Sequence, residues 1–471
     1  MTATMKNMDK GSKLYLGGLT FVAVLGGLLF GYDTAVISGA EKALEAFFSQ
    51  STDFIYNKAW HGITASSALI GCVIGGALSG LLAPRWGRRN SLLFASLLFL
   101  LSAIGSSRPE LLFFEFGKPT FSLLLTFNAY RVLGGIGVGL ASAICPMYIA
   151  EVSPANVRGR LVSVNQFAII FGMLVVYFVN YLIRINLPGE IEQAMMEIGW
   201  RRMFLSEAFP AATFGLLLLF VPKTPRFLVM SGNESKALHV LTRINGVDSA
   251  RKTLEEIKET VIEKREKLFS YGIAVVVIGI LLSFFQQAVG INVVLYYAPR
   301  IFENLGASGD VSMRQTVVMG VVNIIFTMVA IFTVDKFGRK PLLIIGSIGM
   351  MIGMAALSIL SFMDVIGIAA LVFIIIYTAS FMMSWGPITW VLISEIFPNT
   401  IRGQAVAIAV AAQWISNFVV SSTFPSLSEW STGGAYLIYA VFSLLSAVFV
   451  FKMVPETKGK TLEDMTRLWR K

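Results

Sequence analysis

Long apolar segments alternate with short polar loops along almost the whole chain. A helix that crosses a membrane needs roughly 20 mostly apolar residues, because the hydrocarbon core is about 30 Å thick and the helix rises about 1.5 Å per residue. The pattern therefore predicts an all-α membrane protein. Its twelve predicted spanning helices lie near residues 15–37, 62–83, 90–107, 121–149, 161–183, 203–222, 271–298, 314–334, 341–361, 365–394, 403–425 and 433–454.

Composition agrees with a surface that faces lipid. The 471 residues are 55% hydrophobic and only 14% charged, whereas soluble chains carry about 25% charged residues. The net charge of +10 does not indicate a nucleic-acid binder, because the basic residues lie in short loops rather than on one soluble face. The polar start leads into an apolar run without a cleavage site, so we expect a retained first helix.

The chain divides into two related parts. Residues 223–270 contain ten Lys/Arg and seven Asp/Glu, which predicts a cytoplasmic helical linker between an N-terminal six-helix half (1–222) and a C-terminal half with a tail (271–471). The peptide GRR at 87–89 recurs as GRK at 338–340. Repeats of this kind are typical of transporters in which one half rocks against the other.

Basic residues concentrate in the loops after the second, fourth, eighth and tenth spans and in the tail. The positive-inside rule then places both termini in the cytoplasm. An even number of spans agrees with this orientation.

Three ionisable residues fall inside predicted spans: Asp33 in the first, Arg131 in the fourth and Glu207 in the sixth. Such groups are costly in lipid and mark function by default. A carboxylate that exchanges a guanidinium neighbour for an apolar one can bind and release a proton. The alternative is a static ion pair between the first and fourth spans.

Uncharged hydrogen-bonding side chains are concentrated in the inner spans. Amides offer both donors and acceptors, and indole rings stack on sugar rings, so the set favours a neutral polar solute. Hydrogen bonding between helices is the alternative. The set comprises Gln166, Gln286, Gln287, Asn292, Asn323, Trp390, Gln413 and Trp414.

Charged residues also recur at the predicted inner ends of the helices. Glu151 with Arg158, and Glu395 with Arg402, are spaced to form ion pairs. A network that forms in only one conformation can bias a two-state equilibrium, so we interpret these residues as an inner gate. Determination of topology by positive charge is the alternative, and both can hold. Further basic residues that can reach the same acids, or the carbonyl groups at helix C-termini, are Arg88, Arg89, Arg339 and Lys340.

No catalytic or metal-binding pattern is evident in the sequence. His61 is expected in an outer loop and His239 in the linker, with no Cys/His metal spacing. The Gly-rich run 134–139 has no preceding strand and no following GK[ST], which excludes a phosphate-binding loop. We therefore expect a protein that is not an enzyme and that uses no cofactor and no metal.

Four peptides together resemble the sugar porters of the major facilitator superfamily: RWGRR at 85–89, PMYIAEVSP at 146–154, QQAVGIN at 286–292 and PETKGKTLE at 455–463. Two more, FGYDTAVISG at 30–39 and NVVLYYAP at 292–299, are similar to the bacterial D-xylose/proton symporters of that family. The resemblance extends from about residue 15 to 465.

The resemblance implies the major facilitator fold and a proton-coupled sugar symporter of the bacterial inner membrane, which we expect to function as a monomer. Asp33 would carry the proton, tuned by Arg131 and Glu207. The sugar contacts would be Gln166, Gln286, Gln287, Asn292, Asn323, Trp390 and Gln413, in a cavity lined by Phe30, Tyr296, Gly386 and Trp414.

The sequence departs from the family pattern at three places, and the first of them leaves the identity of the sugar open. Met173 stands where the xylose symporters have a glutamine, and Pro84 replaces the usual Asn or Asp. The peptide PKTPRF at 222–227 replaces PESPRW, which removes an acid from the inner gate. D-Xylose is the first candidate, and glucose or another hexose or pentose is the alternative. A uniporter is disfavoured by Asp33, since facilitative relatives have Asn there, and a sugar sensor by the short tail.

Overall fold

The structure, a computed structural model, describes residues 11–111, 114–154, 157–261, 267–304, 306–364, 368–458, 467 and 469. Within these ranges the regular structure is helical and no strand occurs, which confirms the all-α prediction. Large apolar side chains such as Phe209, Phe220, Phe332 and Phe451 are exposed on the outside of the bundle. These side chains are suited to contact with lipid.

The N-terminal half consists of helices that pack in a bundle, with α1 against α5 and α4 against both α2 and α3. A short π-helical segment, Met195–Gly199, precedes α7. The helices are α1 (Lys13–Phe48), α2 (Lys58–Trp86), α3 (Arg88–Ser107), α4 (Phe121–Val152), α5 (Arg158–Ile185), α6 (Ile191–Ala194), α7 (Trp200–Ser206) and α8 (Ala208–Leu218).

Three helices form the linker, and the C-terminal half follows. The linker helices are α9 (Pro225–Met230), α10 (Glu234–Asn245) and α11 (Val247–Val261). The helices of the C-terminal half are α12 (Ile273–Ala288), α13 (Ile291–Tyr296), α14 (Ala298–Asn304), α15 (Gly309–Phe337), α16 (Arg339–Phe362), α17 (Ile368–Met382), α18 (Trp385–Glu395), α19 (Asn399–Trp430) and α20 (Thr432–Met453).

Eleven helical segments in the described part of the chain are long and apolar enough to cross a membrane. The sixth predicted span is present as two shorter helices, α7 and α8, because the helix is interrupted at Glu207. The seventh is also interrupted: Gly290 adopts φ +89°, which ends α12 before α13 begins. Left-handed backbone of this kind is readily adopted only by glycine.

Helix ends extend beyond the apolar segments that predicted them. The first helix continues to Phe48, eleven residues past its predicted end at 37. The prediction ended too early because it followed apolar residues only, and the last three turns of the helix contain Glu41, Lys42 and Glu45. The second begins at Lys58, where the Asn57 side chain accepts a hydrogen bond from the backbone N–H of Trp60 at 3.0 Å. Capping by asparagine satisfies an otherwise unpaired helical donor.

This extension corrects the position of His61. The histidine lies inside α2 rather than in a loop and is only 1% exposed. Asn57 was a sequence signal for the start of this helix, but the prediction relied only on the length of the apolar segment and missed it.

The two halves contact each other mainly through α2 with α19 and through α5 with α15. We call the end of the bundle that contains Gly87 and Gly338 the inner face, after the predicted orientation. The opposite end, near Ser49 and Asn304, is the outer face. Helices α1, α12, α13 and α19 carry several of the predicted site residues, among them Asp33, Gln286, Asn292 and Gln413.

Candidate functional site between the two halves

A buried ion pair joins α1 to α4. The Nη1 atom of Arg131 lies 2.6 Å from Oδ1 of Asp33, and Nη2 donates to the Asp33 carbonyl oxygen at 3.0 Å. Asp33 is 0% and Arg131 1% exposed. Charges taken this far out of water require close partners, because the loss of hydration otherwise costs several kcal/mol per ion.

Glu207 lies beside this pair at the break between α7 and α8, and is also fully buried. Within the described part of the chain, neither of its carboxylate oxygens has a hydrogen-bond partner, and Oδ2 of Asp33 has none either. Two ionised carboxylates and one guanidinium carry a net charge of −1. One proton bound to either carboxyl group makes the cluster neutral, so the arrangement can hold and release a proton.

Four of the predicted amides form a connected network around the break in the seventh span. The Nε2 atom of Gln286 donates to the carbonyl oxygens of Trp385 at 3.0 Å and of Gly386 at 3.3 Å. Its Oε1 atom accepts from Gln287 at 3.2 Å and from Gln413. The structure thus brings together α12, the start of α18 and the middle of α19.

The network continues to α13, where Nδ2 of Asn292 donates to Oε1 of Gln287 at 2.5 Å. Several buried polar atoms of the predicted set have no hydrogen-bond partner among the described residues: Oε1 of Gln413, Oδ1 of Asn323 and Nε1 of Trp414. Unpaired buried polar atoms are costly. A neutral solute rich in hydroxyl groups can satisfy both the acceptors and the donor.

Aromatic residues approach this network from both halves. The rings of Phe30 on α1 and Trp414 on α19 are 5.6 Å apart between centroids. The Tyr296 hydroxyl accepts from Nδ2 of Asn417 at 3.4 Å. Gln166 on α5 and Trp390 on α18 are partly exposed, and Asn323 on α15 is buried. These three predicted residues lie on helices that flank the network.

Asn417 was not among the predicted residues. It is 2% exposed, and its Oδ1 atom accepts from the Ser421 hydroxyl at 3.0 Å. A sequence signal for it existed, because Gln413, Asn417 and Ser421 are spaced four residues apart and therefore share one face of a helix.

At the inner face the predicted acids are paired, but with different partners from those expected. Glu151 accepts from Arg88 at 2.6 Å, and Glu395 accepts from Arg339 at 3.0 Å. The positive φ angles of Gly87 and Gly338, +83° and +89°, begin α3 and α16 in a direction that brings these arginines to the acids.

The expected pairs of Glu151 with Arg158 and of Glu395 with Arg402 are not formed among the described side chains. Arg158 instead donates to the Ser153 carbonyl oxygen at 3.4 Å, and Arg402 to that of Phe397 at 3.4 Å. Each of these arginines turns back onto the residue five positions before it, so it caps the preceding chain end and does not reach the acid.

The other two predicted gate residues contact different groups. Arg89 donates to the carbonyl oxygens of Leu218 at 3.0 Å and Leu219 at 2.8 Å, at the end of α8. The ammonium of Lys340 lies 5.8 Å from the ring centroid of Phe451. Arg89 thus stabilises a helix C-terminus, where cations are favoured.

A bundle of two similar halves, with a buried carboxylate–guanidinium cluster in the N-terminal half and a buried amide network in the C-terminal half, is typical of a membrane transport protein. The family "Sugar (and other) transporter" matches residues 19–469, so the chain belongs to this family. Members are transport proteins and not enzymes, which confirms that prediction.

Known proteins agree with this assignment and confirm the major facilitator fold. The D-xylose-proton symporter of Escherichia coli strain K12 is 50% identical over 473 residues, which cover 97% of this chain and 96% of the symporter. The glucose facilitated diffusion protein of Zymomonas mobilis is 40% identical over 96% of this chain and 97% of its own.

A solved structure of the xylose transporter XylE from E. coli, in a partially occluded inward-open conformation, superposes with a TM-score of 0.87. It is 48% identical, and the match covers 95% of this chain and 100% of that chain. Together, the family match and the eleven long apolar helices show a multi-pass membrane protein.

Proposed function

We propose that this protein is a proton-coupled symporter that imports a neutral monosaccharide by alternating access, with D-xylose as the first candidate. The sugar and a proton enter from outside, the two halves rock, and both ligands leave on the inner face. The proton gradient thereby drives accumulation of the sugar. The observation that carries the proposal is the buried cluster of Asp33, Arg131 and Glu207, whose net charge changes with one proton.

The amide network supports a neutral polyol as the solute. Its side chains, Gln286, Gln287, Asn292 and Gln413, are uncharged amides that offer both hydrogen-bond donors and acceptors. A charged solute would require a counter-ion in the same place, because the cost of an unpaired buried charge is high. The E. coli symporter, half of whose residues are identical to those of this chain, carries D-xylose by its name.

We further propose that the protein lies in the inner membrane with both termini in the cytoplasm and functions as a monomer. The proton is the coupling ion, and no cofactor takes part. The basic residues of the inner loops support the orientation. The roles of the sugar contacts and of the inner gate remain predictions of the same proposal.

Uptake of labelled D-xylose and D-glucose into proteoliposomes tests the proposal. We expect accumulation above equilibrium of one sugar only when an inward proton gradient is imposed. Asp33→Asn should abolish this accumulation and retain counterflow exchange, because the sugar network is left intact. Asp248→Asn, on the exposed linker helix α11, is the matched control and should accumulate sugar like the parent.

A facilitative uniporter is the second candidate, favoured by the 40% identity to a glucose facilitated diffusion protein. Equilibration of sugar by the parent without accumulation would support it, and Asp33 would then be half of a structural ion pair. Equal accumulation by the parent and by Asp33→Asn would contradict the role of Asp33 as the proton carrier.

A further inference from the structure

Buried charged residues of both halves meet at the outer face, about two helical turns along α1 from Asp33. Glu41 on α1 is 0% exposed, and His61 on α2 is 1% exposed. Their side chains are in contact, with 2.8 Å between Oε2 of Glu41 and Nε2 of His61. Both residues belong to the N-terminal half.

The cation that completes this cluster comes from the other half. Arg300 on α14 donates from Nε to Oε1 of Glu41 at 2.9 Å and from Nη2 to Oε2 at 2.5 Å. The same Nη2 atom donates to Oε2 of Glu45 at 2.5 Å and lies 3.4 Å from Nε2 of His61. Two-pronged contacts between arginine and carboxylate are among the strongest hydrogen bonds in proteins.

The position among Glu41, Glu45 and His61 has the residue types of a metal site, and their ligand atoms lie within 4.8 Å of one another. In this conformation the Arg300 guanidinium occupies that position. The three N-terminal residues therefore act as a receptor for a cation of the C-terminal half.

Two further ion pairs between described residues cross between the halves at the same face. Lys42 on α1 pairs with Glu303 on α14, and Arg184 on α5 pairs with Asp310 on α15 at 2.9 Å. They are more exposed than the Arg300 cluster: the side chains of Lys42 and Asp310 are 46% and 43% exposed. Exposed pairs contribute little, so the buried cluster dominates the closure of this face.

We propose that Arg300, with its receptor of Glu41, Glu45 and His61, is an ionic lock that holds the outer entrance closed and sets the balance between inward-open and outward-open conformations. The proposal rests on the alternating access proposed above. Opening of the outer face would withdraw Arg300 from the receptor, so every transport cycle would break and remake this contact. The contact would therefore stabilise the inward-open state and not the outward-open state. An interaction that is present in only one of two states shifts the equilibrium toward that state.

The test measures conformation and does not depend on transport or on the identity of the sugar. Spin labels are attached at Ser49→Cys and Ser426→Cys, exposed positions at the outer ends of the two halves, in protein reconstituted in nanodiscs. Distances between the labels are measured by pulsed electron resonance. Arg300→Gln should raise the ratio of outward-open to inward-open molecules about tenfold or more, since hydrogen bonds to charged groups are lost from one state only.

Arg108→Gln is the matched control, because Arg108 is an exposed outer arginine that follows α3 within the N-terminal half. It should leave the distance distribution unchanged. Arg300→Lys keeps the charge but loses the two-pronged contact, so it should give a smaller shift in the same direction. If Arg300→Gln does not fold, Glu45→Gln, at the partly exposed edge of the receptor, takes its place and should also shift the ratio toward outward-open.

A distribution for Arg300→Gln that matches the parent would overturn the lock, as would an equal shift in Arg108→Gln. Failure of the proposed symport leaves this result interpretable. A protein that does not accumulate sugar still reports its label distances, and a protein that accumulates sugar normally can still lack the shift.

Discussion

At the inner face, both halves place an arginine directly after a left-handed glycine and pair it with a glutamate from another helix. In the N-terminal half, Gly87 precedes Arg88, which pairs with Glu151. In the C-terminal half, Gly338 precedes Arg339, which pairs with Glu395. Only glycine adopts this backbone without strain, so the turn and the pair form one unit in each half. We call these units the N-latch (Gly87, Arg88, Glu151) and the C-latch (Gly338, Arg339, Glu395).

The groups that support the two latches differ. Glu456 accepts from the backbone N–H of Arg339 at 3.1 Å and of Lys340 at 2.9 Å. A carboxylate at this point satisfies unpaired donors and interacts favourably with the helix dipole of α16. The Thr457 hydroxyl donates to Glu395 at 2.6 Å.

The N-terminal half has a cation at the matching place in its sequence. Pro222, Lys223 and Thr224 follow the sixth span as Pro455, Glu456 and Thr457 follow the twelfth. The Lys223 ammonium lies 5.1 Å from the ring centroid of Phe227, and that ring packs under Gly87. Hydrogen bonds from Glu456 and Thr457 support the C-latch, whereas in the N-terminal half packing of the Phe227 ring takes their place.

Burial compensates for this difference. The side chains of Arg88 and Glu151 are 8% and 11% exposed, whereas those of Arg339 and Glu395 are 12% and 30% exposed. The same pair is thus held by exclusion of water in one half and by extra hydrogen bonds in the other. A repeated sequence motif does not imply that its two copies respond equally to mutation.

The largest expected effect separates the two acids. Glu151→Gln should lower the free energy of unfolding by about 3–5 kcal/mol, because it leaves the Arg88 guanidinium buried without a counter-ion. Glu395→Gln should cost only about 1 kcal/mol, because the Glu395 side chain is 30% exposed and its contact with Arg339 is screened by water. Thermal unfolding of both purified variants in one detergent measures the difference. Equal losses, or a larger loss for Glu395→Gln, would show that burial does not decide the strength of the latches.

A smaller effect is expected from the support of the C-latch. Glu456→Ala removes two acceptors and the negative charge at the start of α16, which should cost about 1 kcal/mol. Glu259→Ala, on the exposed face of the linker helix α11, is the matched control and should cost nothing measurable. The same unfolding assay compares them, and identical midpoints would show that Glu456 does not stabilise the C-latch.

The effect of Glu456 should also depend on pH. Partial burial acts to raise the pKa of the Glu456 carboxyl group, but the backbone N–H groups of Lys458, Arg339 and Lys340 outweigh it and hold this pKa below the usual value for glutamate. A carboxyl group with a lowered pKa in the folded state stabilises the protein above its unfolded pKa and loses this contribution as the pH falls through the folded value. The deficit of Glu456→Ala should therefore be constant between about pH 6 and 8 and shrink below about pH 4.5.

The smallest expected effect is a gain. Lys223→Glu places a carboxylate beside the start of α3, where the helix dipole favours negative charge by about 0.3–1 kcal/mol. Lys223→Gln removes the cation without adding an anion and serves as the matched control. The midpoint of Lys223→Glu should exceed that of Lys223→Gln. The reverse order would mean that contact between Lys223 and Phe227 matters more than the dipole.

Much of the fold was predictable because lipid imposes a simple rule on sequence. A spanning helix must be about 20 residues of apolar side chains, so the number and order of spans followed from length alone. The breaks at Glu207 and Gly290 were not predicted, since apolar length does not report the local geometry that a single residue imposes. The outer end of α1 was missed for the related reason that charged residues continue a helix beyond the membrane.

The candidate site divides in the same way. The residue types in the spans predicted a functional set of Asp33, Arg131 and Glu207 together with a group of amides, because polar side chains in lipid are costly and mark function by default. Spacing along one helix would also have found Asn417. The partners within the set did not follow from the sequence, since they depend on contacts between helices that are distant in the chain.

By itself, the sequence determined the class of protein, the two halves and the residues that lipid would otherwise exclude, because each of these depends on local composition. The tertiary structure alone decided which charges meet. It paired Glu151 with Arg88 instead of Arg158, and it brought Arg300 into a receptor of Glu41, Glu45 and His61. Ion pairs act over a few ångströms, and only the packing of helices brings residues more than 200 positions apart within that distance.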